Sequence, residues 1–450
     1  MASYRAIPPN ANVRLTKKTS NLFRARAKNT APGLDVSGLA KVIAVDAEAK
    51  TADVAGMTTY EDLVAATLPY GLAPLVVPQL KTITLGGAVT GLGIESSSFR
   101  SGLPHESVLE MDVLTGAGEI VTATPDGEHA DLFRGFPNSY GTLGYSVRLK
   151  IELETVQPYM ALRHIRFHDL RELESTLARI VTDRTYEGER VDYLDGVVFT
   201  ADESYLTLGR QTDEPGPVSD YTGMDIYYRS IQHDSDRPKR DRLTIHDYLW
   251  RWDTDWFWCS RAFGTQNPKI RRLWPKRYRR SSFYWKLIAL DHKYDIGDKL
   301  EARKGNPPRE RVVQDIEVPV ERTADFVGWF LREIPIEPIW LCPLRLREND
   351  AANAGRRWPL YPLQPNRTYV NVGFWSAVPT VAGQQEGKAN RAIEQTVTEF
   401  DGHKSLYSDS YYGEDEFAAL YGGQTYADLK KRYDPDQRLL DLYSKAVQRK

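Results

Sequence analysis

The chain of 450 residues is 41% hydrophobic and 27% charged, enough apolar material for two domains or three small ones, and it rules out long disorder. Lys plus Arg total 59 against 61 for Asp plus Glu, a formal charge of -2, which excludes a global field that recruits nucleic acid. Two cysteines, Cys259 and Cys342, exclude a disulfide framework and a zinc site, so no metal is expected and the chain reads as cytoplasmic. The opening MASYRAIPPNANVRLTKK has no apolar signal core, and no stretch approaches the ~20 apolar residues of a membrane span.

In chain order, residues 41–56 alternate as a strand pair with a tight connection. Residues 58–72 carry helical spacing, with Thr58 or Thr59 as the cap and Gly71 as the stop. Two strands around a Gly-Ala-Gly turn are predicted over 107–124, and the clearest strand over 142–156. Beyond 157 Trp, Tyr, Arg and Asp accumulate. There the pattern predicts a helix over 170–184, strands over 191–200, 312–320 and 368–374, and a helical tail. The expected fold class is α+β, divided into a nucleotide-type domain (1–156), a larger middle domain (157–404) and a C-terminal helical segment (405–450) that packs back on the first domain.

The sharpest local feature is 76–102, VVPQLKTITLGGAVTGLGIESSSFRSG, which holds Gly86, Gly87, Gly91, Gly93, Ser96, Ser97, Ser98 and Gly102. Glycines admit close backbone approach, and successive N–H groups and hydroxyls can cradle phosphate oxygens. The spacing fits neither the usual dinucleotide fingerprint nor a P-loop. A pyrophosphate cradle and a glycine-rich turn in a β domain both stay open. Gly141-Thr142-Leu143-Gly144, just ahead of a strong strand, offers a second approach to the same ligand.

Gly91 to Ser98 (GLGIESSS) together with Tyr140 to Gly144 (YGTLG) resemble the Δ24-sterol reductase-like family of FAD-binding oxidoreductases, of the vanillyl-alcohol oxidase or PCMH type. The likeness extends through Val312-Val313-Gln314-Asp315, Pro338 to Pro343, and Tyr407-Ser408-Asp409 with Tyr411. Two departures stand out: the N-terminal membrane anchor of the animal and plant members is not seen here, and 246–264 diverges while keeping His246 and Tyr248. That segment is more similar to the actinobacterial branch, which is associated with reducing a 10-methylene acyl chain to 10-methyl.

The resemblance implies a two-subdomain PCMH-type FAD-binding domain plus an α+β substrate (cap) domain, with the flavin ring between them. It implies non-covalent FAD, since covalent members often use an N-terminal His and the first here is His105. Thr84, Gly86, Gly87, Gly91 and Gly93 would hold the pyrophosphate, with Ser96–Ser98 and Gly102 nearby and Gly141, Thr142, Gly144 and Val147 on the adenosine or pyrophosphate side. Lys17, Lys18, Arg24 and Arg26 either offset phosphate charge or form a solvated basic loop. The implied reaction is NADPH- or NADH-driven reduction of an isolated C=C in a lipid, foremost a 10-methylene acyl chain on a phospholipid. Whether a partner methyltransferase works alongside stays open. A sterol Δ24-reductase and a flavin oxidase or dehydrogenase of an alcohol or sugar are the alternatives.

Such a bond needs a proton donor as well as a hydride. Candidate acids are Tyr411, Asp409, His246 and Glu95, with Glu106 beside them. For Asp409 and Tyr411 a structural pair is the competing reading, and for His246 a buried structural histidine. Gln314 and Asp315 either face the flavin or serve the strand edge; Cys342 reads as core. Residues 269–286, KIRRLWPKRYRRSSFYWK, interleave cations with aromatics and contain no acid. They read either as a peripheral contact with an anionic inner-membrane face or as an exposed basic loop whose aromatics pack inward.

Overall fold

The computed structural model describes residues 1–17, 23, 33–294, 299, 303, 305–347, 358–361, 363–381 and 383–450, the side chains of 292 and 293 excepted. Lys18, Arg24 and Arg26 lie outside the described residues.

Alternating apolar stretches of the first third pair as one antiparallel sheet. Its strands are β1 (Val42–Asp46), β2 (Thr51–Ala55), β3 (Leu72–Pro74), β4 (Val108–Leu114), β5 (Ile120–Ala123) and β6 (Tyr145–Thr155), in the order β1-β2-β6-β4-β5 with β3 also on β6. β6 is central because its buried side, Leu149 and Ile151, faces Val54 and Ala52 on one flank and Met111 and Val108 on the other. The helix Tyr60–Thr67 starts where Thr59 accepts from the Asp62 N–H, and the 3-10 turn after it ends at Gly71 in the left-handed region.

Later strands build a second antiparallel sheet: β7 (Tyr159–Phe167), β10 (Tyr193–Thr200), β11 (Glu203–Thr212), β12 (Lys239–Thr244), β13 (Arg309–Pro319), β14 (Ile339–Leu344), β15 (Tyr369–Pro379) and β16 (His403–Lys404). Their order is β12-β7-β11-β10-β14-β15-β13-β16, and β8 (Thr185–Tyr186) with β9 (Glu189–Arg190) forms a separate small hairpin. Period-two alternation gives this sheet two apolar faces. On one side Val312, Ile316, Val318, Val370 and Val372 pack under the helices Leu170–Asp183, Thr323–Glu333 and Lys388–Glu399. The other side, with Trp340, Cys342 and Tyr193, joins the first domain's core through an aromatic segment running from Tyr248 to Trp258.

The C-terminal helices return to the first sheet's end. Lys430 donates to the Thr142 carbonyl, Tyr433 to Asp131, and Arg438 to the carbonyls of Ile7 and Pro8. The molecule is α+β.

Candidate cofactor and active site

Between the two sheets lies a cavity of about 1270 Å³, larger than the roughly 300–1,000 Å³ that suits a drug-sized ligand. One wall is the glycine-rich segment, which folds into a short helix, Leu85–Gly91, instead of a loop. Thr84 caps it, accepting from the Gly87 N–H at 3.2 Å. A side chain at Gly86 would stand 2.5 Å from the Gly56 carbonyl, at Gly91 3.2 Å from the Tyr140 ring, and at Gly93 2.9 Å from Pro78. These glycines therefore let the helix lie backbone-close on its neighbours while also forming the cavity wall. The Gly86 N–H is already bonded to the Gly56 carbonyl at 2.9 Å.

The other residues expected at the cofactor divide. Thr84 and Gly141 line the cavity, Gly141 at φ +76 with its N–H on the Thr90 hydroxyl. Ser96, Ser97 and Ser98 do not, and their placement corrects the expectation that they face phosphate. Ser96 donates to Glu95, Ser97 to the Leu75 carbonyl, and Ser98 accepts from the Glu95 N–H, so all three hydroxyls serve the turn. Gly102 leaves room for the Glu106 carboxylate, and Gly144 for Val113 and the Leu114 carbonyl. The Thr142 hydroxyl donates to the Ser139 carbonyl, and Val147 packs on a small cluster containing Tyr4 and Ile7. These four also stand behind the wall, because tight turns and core contacts already use them.

Lys17 supplies a test of fit to a pyrophosphate. Its ammonium sits 3.3 Å from the Thr84 hydroxyl and 3.4 Å from Met57 Sδ, and among the described residues no carboxylate reaches it. Burial pulls its pKa down, the mark of a desolvated cation awaiting a negative partner. Arg14, Lys445 and Lys450 also line the cavity, against one carboxylate side chain among the described lining residues. This positive, glycine-walled space matches a dinucleotide's diphosphate.

That carboxylate is Asp315, on the opposite wall. β13 directs it to the cavity side together with Glu317, because Gln314 and Ile316 take the helix side. Asn371 Nδ2 donates to its Oδ1 at 3.0 Å, and Tyr407, whose hydroxyl accepts from Trp375 Nε1 at 3.0 Å, hydrogen-bonds the same carboxyl. Burial pushes the Asp315 carboxyl up to about 6, against the opposing pull of these two hydrogen bonds. Gly373, its partner across β15, is required here: a side chain would come 2.5 Å from Asp315 Oδ1 and 2.7 Å from the Trp375 ring. Trp256, Phe257, Trp340 and Trp375 complete an aromatic wall, with Phe257 and Trp375 centroids 4.4 Å apart. Trp256 and Phe257 both hold left-handed backbone, φ +47 and +57, a strained state for bulky residues sustained by this packing. Tyr407 and Trp340 were legible only as parts of longer motifs, and Trp375 falls just past the strand expected over 368–374; alternation along 369–379 would have placed Asn371, Gly373 and Trp375 on one face.

The structure places the four expected acids elsewhere. Glu95 is 2% exposed and bound by Arg251 at 2.7 Å, in a cluster where Asp195 takes Arg251 at 2.9 Å and the indole N–H groups of Trp252 and Trp340 at 3.3 Å each. This ion cluster ties the glycine-rich turn to β10 and the aromatic segment. His246 is exposed, beside Asp247, so the buried-histidine reading does not hold either. Tyr411 and Asp409 turn away from the cavity toward Arg449, at 3.0 and 3.5 Å, while Lys404 and Glu394 hold the backbone of their turn. Glu106 accepts from the N–H groups of Leu103 and Arg347. His105 is buried edge-on to Trp358, outside the cavity lining, and its pKa is lowered to about 3 by burial.

Residues 9–124 match the family described as "FAD binding domain". The chain is an FAD-dependent oxidoreductase. It is 25% identical to the Delta(24)-sterol reductase of Arabidopsis thaliana, over 92% of this chain and 76% of that one. It is 27% identical to the Delta(24)-sterol reductase of Homo sapiens, over 90% and 76%. Cytokinin dehydrogenase 4 of Arabidopsis thaliana is 26% identical over 44% of this chain and 39% of its own length.

Proposed function

We propose that the protein reduces an isolated C=C in a lipid, taking electrons from NADPH or NADH, and that the substrate is a 10-methylene fatty acyl chain. The observation that carries this reading is Asp315, a single protonatable carboxyl set in an aromatic wall across the cavity from the dinucleotide side. Lys17, Thr84 and the glycine-rich helix would hold the FAD, with Gly141 on its far side. Bound and reduced, FAD supplies a hydride.

An electron-rich double bond has no carbonyl to accept charge, so it must gain a proton as it gains the hydride. Asn371 donates to Oδ1 of Asp315, and the carboxyl in its acid form carries the proton that the bond takes. The faces of Trp256, Phe257, Trp340 and Trp375 steady positive charge on carbon and exclude water. Cys259 also lines the cavity, and burial holds its thiol up to about 12, so no thiolate stands ready to trap a cation. Overall one proton and one hydride add across the bond, NAD(P)H becomes NAD(P)+, and solvent reprotonates Asp315.

The acyl substrate is supported by 246–264, where this chain departs from the sterol reductases in resemblance and which contributes Trp256, Phe257 and Cys259 to the cavity. The relatives named Delta(24)-sterol reductase favour a sterol as the second reading. Anaerobic titration with NADPH is expected to bleach the flavin bands, and a 10-methylene phospholipid to restore them with a 10-methyl product. Restoration by a Δ24-sterol alone would transfer the reading to sterols. A flavin that NADPH leaves oxidised and an alcohol or sugar bleaches would overturn it in favour of an oxidase or dehydrogenase.

A further inference from the structure

The basic segment 269–286 is built otherwise than its composition suggests. Its aromatics turn inward: Tyr284 is buried and stacks on Phe263 at 5.7 Å, and Trp274 and Tyr278 pack on Phe283. Two of its arginines are structural. Arg271 grips Asp255 at 2.7 and 3.1 Å and the Gly223 carbonyl at 2.8 Å. Arg279 donates to the carbonyls of Thr222, Gly223, Arg271 and Trp274. These bonds fix a short helix, Pro268–Leu273, capped by Asn267, and join it to the 222–225 stretch.

What this rigid projection presents outward is Leu273, 84% exposed, and Ile270, 42% exposed one turn before it, with Met224 at 45% on the stretch that Arg271 and Arg279 bind. Lys269, Arg272, Lys276 and Arg277 surround them, all exposed. Between Asp255 and Asp291 the chain has no acidic residue, and of these four cations only Lys276 has an acidic partner among the described ion pairs, Asp220 at 3.2 Å. From the same segment, Trp285 meets Trp256 at 6.0 Å and Phe23 at 5.5 Å, both of which line the cavity.

We infer that this projection is a docking surface for an anionic lipid bilayer: Ile270 and Leu273 enter the headgroup boundary, Lys269, Arg272, Lys276 and Arg277 meet lipid phosphates, and the cavity wall lies directly behind. Charge complementarity selects the occupant. A cationic ring around protruding aliphatic side chains matches the two layers of a bilayer surface, charged outside and apolar beneath. An RNA would use the cations but not the leucine. Docking does not depend on which substrate the cavity takes.

The test uses the flavin-loaded protein in sedimentation with vesicles of phosphatidylcholine alone or doped with phosphatidylglycerol. Binding to the anionic vesicles is expected to be about tenfold stronger or more, since each Lys or Arg near such a surface adds on the order of 1 kcal/mol, and to weaken as salt is raised. The double variant Ile270→Ser, Leu273→Ser is expected to lose about tenfold in vesicle binding, as expected for removing buried apolar area, while NADPH still bleaches its flavin like the parent. Equal binding to both vesicle types would overturn the inference. So would vesicle binding unchanged in the double variant, which would reduce the segment to a bare polyanion site. Neither result bears on the reductase reading, because flavin reduction and product formation are measured without vesicle binding.

Discussion

At the scale of single residues, the proposed protonation depends on Asp315. A buried carboxyl resists ionisation, and here burial outweighs the hydrogen bonds from Asn371 and Tyr407, leaving the pKa at about 6. The group is therefore the acid below that pH and a carboxylate above it, so the protonation step is expected to slow as pH rises through about 6. The replacement Asp315→Asn keeps the shape and removes the proton. It is expected to lower single-turnover reduction of the C=C by roughly 10²–10⁴-fold, to abolish the pH limb near 6, and to leave flavin reduction by NADPH intact. Unchanged turnover with the limb preserved would move the role to another group. Tyr407 itself, with Asp315 beside it and burial around it, is held well above its usual range and donates poorly.

At the scale of elements, the Glu95–Arg251–Asp195 cluster joins three parts that are distant in the chain: the turn after the glycine-rich helix, the aromatic segment and β10. Arg251 also lies over the Tyr248 ring at 4.0 Å. All three ionic groups are buried, so each relies on the others in place of water. Arg251→Met would leave two buried carboxylates unpaired, and urea unfolding is expected to show a loss of about 3–5 kcal/mol, the usual result of breaking such a pair from one side. A loss below 1 kcal/mol would mean the carboxylates find protons or water instead. The consecutive left-handed residues Trp256 and Phe257 depend on the same packing, since Phe257 stacks on Trp252 at 4.7 Å.

At the scale of the whole molecule, the cavity separates two sheets with otherwise distinct surroundings, and its positive dinucleotide side holds like charges near one another. An FAD with its diphosphate against these charges, as proposed, is expected to act as a structural member. Protein stripped of flavin is expected to melt lower and to gain about 2.7 kcal/mol at a free FAD concentration of 100 times its Kd, by mass action. Differential scanning calorimetry against FAD concentration reads this directly; a melting temperature indifferent to FAD would mean that the cavity is not the flavin's. Among the described residues no helix is long and apolar enough to cross a membrane.

The amino-acid sequence by itself determined the local elements. Alternation predicts strands within 41–56, 107–124 and 142–156 and helical spacing predicts a helix over 170–184, where the structure has β1, β2, β4, β5, β6 and the helix Leu170–Asp183, because periods of two and 3.6 follow from backbone geometry alone. It also carried the FAD-binding reading, through the resemblance of Gly91 to Ser98 and Tyr140 to Gly144 to a known family. Only the tertiary structure decided which hydroxyls and carboxyls face the cavity. Ser96, Ser97 and Ser98 look like phosphate ligands in a row, yet their partners are Glu95, Tyr248 and the Leu75 carbonyl. Asp315 reads equally as facing the flavin or as serving the strand edge until Asn371, Gly373 and Tyr407, some 56 to 92 positions later, close around it. Facing, burial and pKa are properties of neighbours that the chain brings together only on folding, and no window of sequence contains them.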